Sequence, residues 1–372
     1  MKIAILHNYL DNIGGAEKLT LMLAQELNAD IYTTNINEKN IKKMGFSTKN
    51  IHTIGKVPKK PPFKQELAKI KFKKLKLKGY DAHIITGDWA GSATTKNECL
   101  WYTHSPLNEI WKFYEYTREN IVPKHKRWLF DIWVKYNRKA SKKYAKQAKK
   151  IITNSQNTKK NVKKYLQQEA TIINPPIDTK KYRKGKKREY WLSVNRLIKH
   201  KKIEEQLKTF KELPNKKLII VGPYEDTQHF LEYKKELEKI KPKNVTFKHH
   251  VKDEELIKLY ENCTGLITTS KNEDFGMNVI EAYAAGKPVV AVAKGGYLET
   301  VKHKKTGILT KPNTKNYKKA IEEIEKNYEY YTKNAYNERK KYTLKTFTKK
   351  IKKELEKNQK KQGEHLARIA HT

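Results

Sequence analysis

Two carboxylates, Glu273 and Glu281, flank a glycine in the run KNEDFGMNVIEAYAAGKPVVA, residues 271–291. Ionised carboxylates accept hydrogen bonds from hydroxyl groups, so such a pair suits a polyhydroxylated ligand, one carboxylate for a ribose and the other for a second sugar. The run reads as a loop, a helix that opens near Gly276 and ends at Gly286, and then a buried strand. Val279, Ile280, Tyr283 and Ala284 form the apolar stripe of that helix, and Glu281 falls beside it. The backbone amides of Phe275, Gly276, Met277 and Asn278 stand at the positive end of the helix, where a diphosphate would be welcome. The plainer alternative is a solvated Glu281 and a Glu273 that only favours the start of the helix.

Three other places offer matching chemistry. In SVNRLIKHKK, Arg196 follows a strand and Lys201 opens the next helix, so two long cations can clamp a pyrophosphate and neutralise the charge that builds on it as it leaves. In a chain this basic, an incidental pair of cations is the alternative. Gly14 and Gly15 in NIGGAEK lie between the first strand and its helix and permit a close backbone approach to an anion. The spaced third glycine of a dinucleotide fingerprint is missing, and a simple tight turn remains open. Asp11 and Glu17 beside it read as caps or polar contacts. His104, in WYTHSP, follows a strand tip and can hold a hydroxyl or a carbonyl, or serve as an ordinary structural histidine; His7 is a weaker candidate of the same kind. No metal is expected, because Cys99 and Cys263 lack ligand spacing and no paired aspartates stand ready. Arg196 and Lys201 would carry the charge instead.

The rest of the chain must position these groups. Its 372 residues exceed what one core usually organises, and 37% hydrophobic content suffices for two domains. Lys and Arg number 81 against 40 Asp and Glu, a formal charge of +41 that draws polyanions: nucleic acid, anionic lipid headgroups or phosphorylated small molecules. A thermophilic or AT-rich coding bias would produce the same excess. Two cysteines make no disulfide framework and point to a reducing cytosol, and the opening MKIAILHNYL is too short for a signal segment. No apolar run approaches the length that spans a bilayer.

Short apolar strands alternate with helical periods twice over: KIAIL, ADIYTTN, IHTIG, AHIIT, ECLWYTHSP, KIITNS and TIINPPID, then YWLSVNRL, KKLIIVG, VTFKHH, GLITTS, KPVVAVA and GILT. Strand-helix-strand order means α/β, with parallel sheets and crossover helices. Residues 111–149 read as one long helical stretch, and Asn157 or Thr158 as the cap of the helix after KIITNS. TKKYRKGKKREY has no apolar period and reads as a linker. The expected organisation is an N-terminal domain over 1–178, a linker over 179–187, a C-terminal domain over 188–345 and a terminal segment over 346–372 that ends in a loose tail. Two such domains are expected to face one another across a ligand cleft.

In their order and spacing NIGGAEK, WYTHSP, IITNSQNTKKNVKKYL, TIINPPID, SVNRLIKHKK, LIIVGPY and above all EDFGMNVIEAYAAGKPVVA resemble the retaining glycosyltransferases of family four, which have the GT-B fold of two Rossmann-like domains. The resemblance covers nearly the whole chain. It implies a metal-independent hexosyltransferase that takes a sugar from a nucleotide diphosphate, with no further cofactor. It implies that Gly15, beside Gly14, approaches the donor phosphates and that His104 contacts the transferred sugar. Arg196 and Lys201 match the family's phosphate pair, and Glu273 the glutamate near the C3 and C4 hydroxyls. Phe275, Gly276 and Met277 would supply backbone contacts, and Glu281 would bind ribose. THSP with NEIW is similar to the bacterial and archaeal mannosyltransferase-like members, although the cysteine and arginine often found there are absent. GDP-mannose and a UDP-hexose both stay open as donors. The resemblance also implies that the terminal helix packs back on the first domain, which takes the acceptor.

A second carboxylate near C1 would permit double displacement. The resemblance instead implies that the acceptor hydroxyl approaches the face the nucleotide leaves, its proton passing to the departing phosphate. The acceptor is expected to be a glycan or a polyprenyl-phosphate-linked sugar. In FKQELAKIKFKKLKLKG, residues 63–79, Leu67 and Ile70 lie among lysines, and YNRKASKKYAKQAKK is a second basic helix. Such faces suit an anionic membrane, placing the protein in the cytoplasm and peripherally on the inner face; a core helix with a basic outer side is the alternative. A sugar-phosphate synthase or phosphorylase would share the fold. A basic nucleic-acid-binding protein is the rival outside enzymes, without a recognisable nucleic-acid motif to support it.

Overall fold

The computed structural model describes residues 1–12, 14–186, 190–223, 228–249 and 251–370. Ile13 of the Gly-Gly loop, residues 187–189, residues 224–227, His250 and the last two residues of the chain lie outside the described set. The chain divides into two compact units: unit 1 comprises Met1–Pro175 with Lys345–Thr372, and unit 2 comprises Pro176–Leu344.

Unit 1 is built on seven strands: β1 (Ile3–Leu6), β2 (Asp30–Thr33), β3 (Ile51–Thr53), β4 (Ala82–Ile85), β5 (Cys99–Thr103), β6 (Lys150–Thr153) and β7 (Thr171–Ile172). They pair in parallel in the order β3-β2-β1-β4-β5-β6-β7. Every residue of β1 and β5 is buried, as expected of central strands with helices on both faces. Leu6, Ile85 and Trp101 pack with Phe72 and Ala93 in this core. The helix Leu344–Ala370 contributes Phe347, Ile351 and Leu355, all buried. Phe347 meets Tyr102 edge to face at 5.6 Å, and Glu354 is ion-paired with Lys150. Burial works to raise the Glu354 carboxyl, but Lys150 and Lys357 outweigh it and hold it below its ordinary value.

Unit 2 carries β8 (Tyr190–Val194), β9 (Lys217–Val221), β10 (Val245–Lys248), β11 (Leu266–Thr268), β12 (Val289–Val292) and β13 (Gly307–Thr310). Their order is β10-β9-β8-β11-β12-β13, again all parallel. The period of two is visible in β8, where Trp191 belongs to the core on one face and Leu192 to the core on the other. Lys287 is fully buried, and its ammonium donates to the carbonyls of Gly185 and Lys186 at 3.1 and 3.0 Å.

Two local expectations need correction, and a third reading that was left open is decided. The stretch 111–149 is not one helix: a helix over Tyr114–Asn120 stops before Pro123, and a second, Arg127–Gln147, begins after a 3-10 turn. Pro123 is extended, with ψ 139°, and has no N–H to continue the ladder. The cap after β6 is Ser155, whose Oγ accepts from the Thr158 amide at 3.0 Å. In the helix Phe63–Lys74 it is Ala68 and Phe72 that face the core, whereas Leu67 and Ile70 are exposed. No described helix is long and apolar enough to cross a membrane.

Candidate active site

In unit 2 the chain order reverses between β8 and β11: β9 and β10 continue on one side, β12 and β13 on the other. The carboxyl ends of strands at such a switch point are where open parallel sheets bind ligands. Arg196 leaves β8 two residues past its end and is exposed. Lys201 closes a 3-10 turn, after which Lys202 takes a left-handed conformation at φ 56°. Thr269, just beyond β11, fixes that turn, its Oγ1 lying 2.9 Å from the carbonyl oxygens of both Lys201 and Lys202. Gln206 Nε2 in turn donates to Thr269 Oγ1 at 3.0 Å.

This scaffold brings together two residues 72 positions apart. Lys201 Nζ donates to Glu273 Oε2 at 2.7 Å, with side chains only 17% and 19% exposed. Tyr297 OH lies 3.4 Å from the same carboxylate oxygen and is also bonded to Thr268 Oγ1. Burial, followed by the nearby charge of Glu273, raises the Tyr297 hydroxyl well above its ordinary value and keeps it a neutral donor. The Glu273 carbonyl accepts from the Gly296 amide at 2.8 Å, which fixes the loop from below.

The helix Met277–Ala284 begins at Gly276, whose φ of +97° is left-handed. A Cβ there would stand 2.9 Å from Tyr297 Cε1, so conformation and packing both require glycine. Phe275 is buried against Tyr342, with ring centres 5.9 Å apart, and Met277 is half-buried. Asn278 Nδ2 donates to the Val194 carbonyl at 3.1 Å and ties the helix start to the end of β8. Glu281 is half-buried and accepts from Tyr260 OH at 2.7 Å. Burial, then the Glu281 charge, raises the Tyr260 and Tyr182 hydroxyls, so this carboxylate faces neutral phenols.

Gly14 and Gly15 follow β1 and His104 follows β5, all in unit 1, whose chain order reverses between β1 and β4. Gly14 N donates to Glu17 Oε2 at 2.8 Å, and Glu17 Oε1 lies 3.5 Å from His7 Nε2. His7 Nδ1 is bonded to Thr86 Oγ1 at 3.0 Å. Burial works to raise the Glu17 carboxyl, but His7 and the amides of Glu17 and Gly14 hold it below its ordinary value. A Cβ on Gly15 would meet no described atom within 4 Å, so packing among the described residues does not demand a glycine there. Asp11 pairs with Lys64 at 2.8 Å.

His104 sits edge-on to Tyr102, ring centres 5.3 Å apart, and its Nε2 is buried without a hydrogen-bond partner among the described residues. Burial, helped by the charge of His7 and opposed by that of Glu17, pushes its pKa from 6.5 down to about 4. The sign for stability follows: a lowered histidine pKa lets the unfolded chain take the proton first, so stability falls as pH drops from 6.5 towards 4. We expect the Tm advantage of the parent over His104→Gln to shrink by on the order of 3 °C between pH 7 and pH 4.5. A constant difference across thermal melts in that range would show that His104 is not held neutral.

The sequence motifs did not point to Tyr260, Tyr297, Thr269 and Gln206, which steady the two glutamates and the lysine. None stands in a recognisable local pattern; each acts across 21 residues or more. Among the described residues, no group of three or more His, Cys, Asp or Glu could hold a metal ion.

The family model "Glycosyl transferases group 1" matches residues 174–341. The match falls almost wholly within unit 2 and covers just under half of the chain, and the two all-parallel sheets have the architecture of the GT-B fold. The fold is shared with the crystal structure of Anabaena Alr3699/HepE in complex with UDP-glucose, at a TM-score of 0.72 over 96% of this chain and 100% of that one, with 18% identity. Among curated proteins, mouse alpha-1,3/1,6-mannosyltransferase ALG2 is 31% identical over 149 residues, 36% of this chain and 36% of that protein. An uncharacterized glycosyltransferase of Methanocaldococcus jannaschii, MJ1607, is 35% identical over 124 residues, 32% of this chain and 31% of its own length. The alignments thus span about a third of the length of the curated relatives that the chain matches.

Proposed function

We propose that this protein is a retaining glycosyltransferase that moves a hexose, most consistently mannose, from a nucleoside diphosphate sugar to a sugar acceptor on a glycan or a lipid phosphate. The observation that carries the reading is the Lys201–Glu273 pair, 2.7 Å apart beside the amides that open the Met277–Ala284 helix. One ammonium, next to those amides, suits a diphosphate; one carboxylate, already aligned by Lys201 and near Tyr297, suits sugar hydroxyls. Arg196 would add a second cation to the phosphates, and Glu281, held by Tyr260, would accept from the ribose hydroxyls. The partial likeness to mannosyltransferases favours mannose, and with it GDP-mannose.

In the reaction the acceptor oxygen bonds to C1 on the face from which the diphosphate departs. The C1–O bond to phosphate breaks with its electron pair going to the phosphate oxygen, which takes the acceptor's proton. The protein's work is then orientation and neutralisation of charge on the leaving group. A cytoplasmic location would give it access to nucleotide sugars.

Thermal stabilisation of the purified chain by GDP-mannose, UDP-glucose and UDP-GlcNAc tests the donor. At 100 times the dissociation constant, the preferred donor should contribute about 2.7 kcal/mol. Stabilisation by GDP-mannose and mannose transfer to a polyprenyl-phosphate-linked acceptor are the expected results; no response to any nucleotide sugar would overturn the proposal.

A further inference from the structure

The helices Phe63–Lys74 and Arg127–Gln147 lie side by side in unit 1, joined through Glu66. Trp133 Nε1 and Asn137 Nδ2 donate to Glu66 Oε1 at 2.8 and 2.9 Å, and the Lys69 ammonium sits 4.6 Å above the Tyr136 ring. With these contacts made, each helix still presents an apolar row outward. Phe63, Leu67 and Ile70 recur at helical spacing on the first, and Trp128, Ile132 and Tyr136 on the second. Phe63 is 65% exposed, and Trp128 and Ile132 are 60% exposed each. Single exposed apolar residues are ordinary, but six on two adjoining helices form a patch that calls for a partner.

The charge around it selects the partner. Lys73 and Lys74 on the first helix, and Lys135, Lys139 and Lys143 on the second, are exposed beside the apolar rows. Each helix has a single acid, and both acids are engaged: Glu66 with Lys69, and Asp131 with Arg118 at 2.9 Å. The surface is therefore hydrocarbon and aromatic, edged by cations, with no exposed anion of its own to repel a negative surface. We infer that this two-helix face docks on an anionic lipid bilayer, its apolar side chains entering the headgroup and upper acyl region while the lysines meet lipid phosphates. Nucleic acid would use the lysines and the aromatic rings, but Leu67, Ile70 and Ile132 would gain nothing from phosphates or base edges. Trp and Tyr at the level of the lysines suit a lipid interface, where one end of the ring is apolar and the other wet. The inference stands on unit 1 alone and is independent of the donor chemistry.

The test is co-sedimentation of the full chain with phosphatidylcholine vesicles and with vesicles holding about 30 mol% phosphatidylglycerol. The parent should bind the anionic vesicles at least about tenfold more strongly than the neutral ones, and the double variant Trp128→Ser, Ile132→Ser should lose about tenfold in partitioning. Lys135→Glu with Lys139→Glu should lose binding to the anionic vesicles in particular. These positions are exposed, so an unchanged melting curve identifies a folded variant. Parent-level vesicle binding by the Trp128, Ile132 variant would overturn the proposal. So would binding to DNA without binding to vesicles, or a self-association in sedimentation equilibrium that the same variant abolishes.

Discussion

Lys201→Ala should lower kcat by about 10²- to 10³-fold while changing the donor KM only a few-fold. The asymmetry comes from when the charge is needed. In the bound donor the diphosphate is already solvated and partly neutralised, but as the C1–O bond breaks a further negative charge develops on the phosphate oxygen. A fixed ammonium stabilises that charge without reorganising, so its loss falls on the transition state. Lys201 is also the cation that aligns Glu273, at 2.7 Å, so the variant loosens the carboxylate that we propose receives the sugar hydroxyls as well. Removing one partner of so buried an ion pair costs up to about 3–5 kcal/mol, so the variant must be shown to be folded before its kcat is read. Steady-state kinetics over a donor series, with a thermal melt as control, decides the matter: a kcat within threefold of the parent would remove Lys201 from the chemistry.

Ending the chain at Leu344 should unfold unit 1 while leaving unit 2 intact. The lost helix buries Phe347, Ile351 and Leu355 against unit 1. At roughly 2–3 kcal/mol for each buried side chain, the loss is about 6–9 kcal/mol. A domain's whole stability is about 5–15 kcal/mol, so little or nothing would remain. Lys150 also loses its partner Glu354. Limited proteolysis should degrade residues 1–175 and spare a core within 176–344. A truncated chain whose melting stays within about 3 °C of the parent, with both units protected, would show that the terminal helix is dispensable.

The parallel-sheet architecture was legible because buried strands such as IAIL, CLWYT and VVAV are continuous apolar runs separated by helical periods. The loop-and-helix character of residues 271–286 was legible for a similar reason, with Gly276 and Gly286 marking the ends. The direct pairing of Lys201 with Glu273 was not, since it depends on two strand tips becoming neighbours. The same holds for Tyr260 beside Glu281, because one tyrosine among 22 carries no local mark of its partner. Residues 111–149 misled because lysines and aromatics keep a helical period on both sides of Pro123. For Leu67 and Ile70 the sequence left two readings open, an outward stripe or a core helix: periodicity identifies a stripe, but only the packing of Ala68 and Phe72 shows which side of the helix the core takes.

The discontinuity of unit 1 also sets an order of events during synthesis. Its first 175 residues leave the ribosome with the face around Tyr102 still lacking Phe347, and all of unit 2, which is continuous in sequence, emerges before that face can be covered. At about 5–20 residues per second the wait is on the order of ten seconds or more. During that interval the nascent amino-terminal half carries uncovered aromatic surface, which makes it the natural client for a chaperone while the later, uninterrupted half closes on its own.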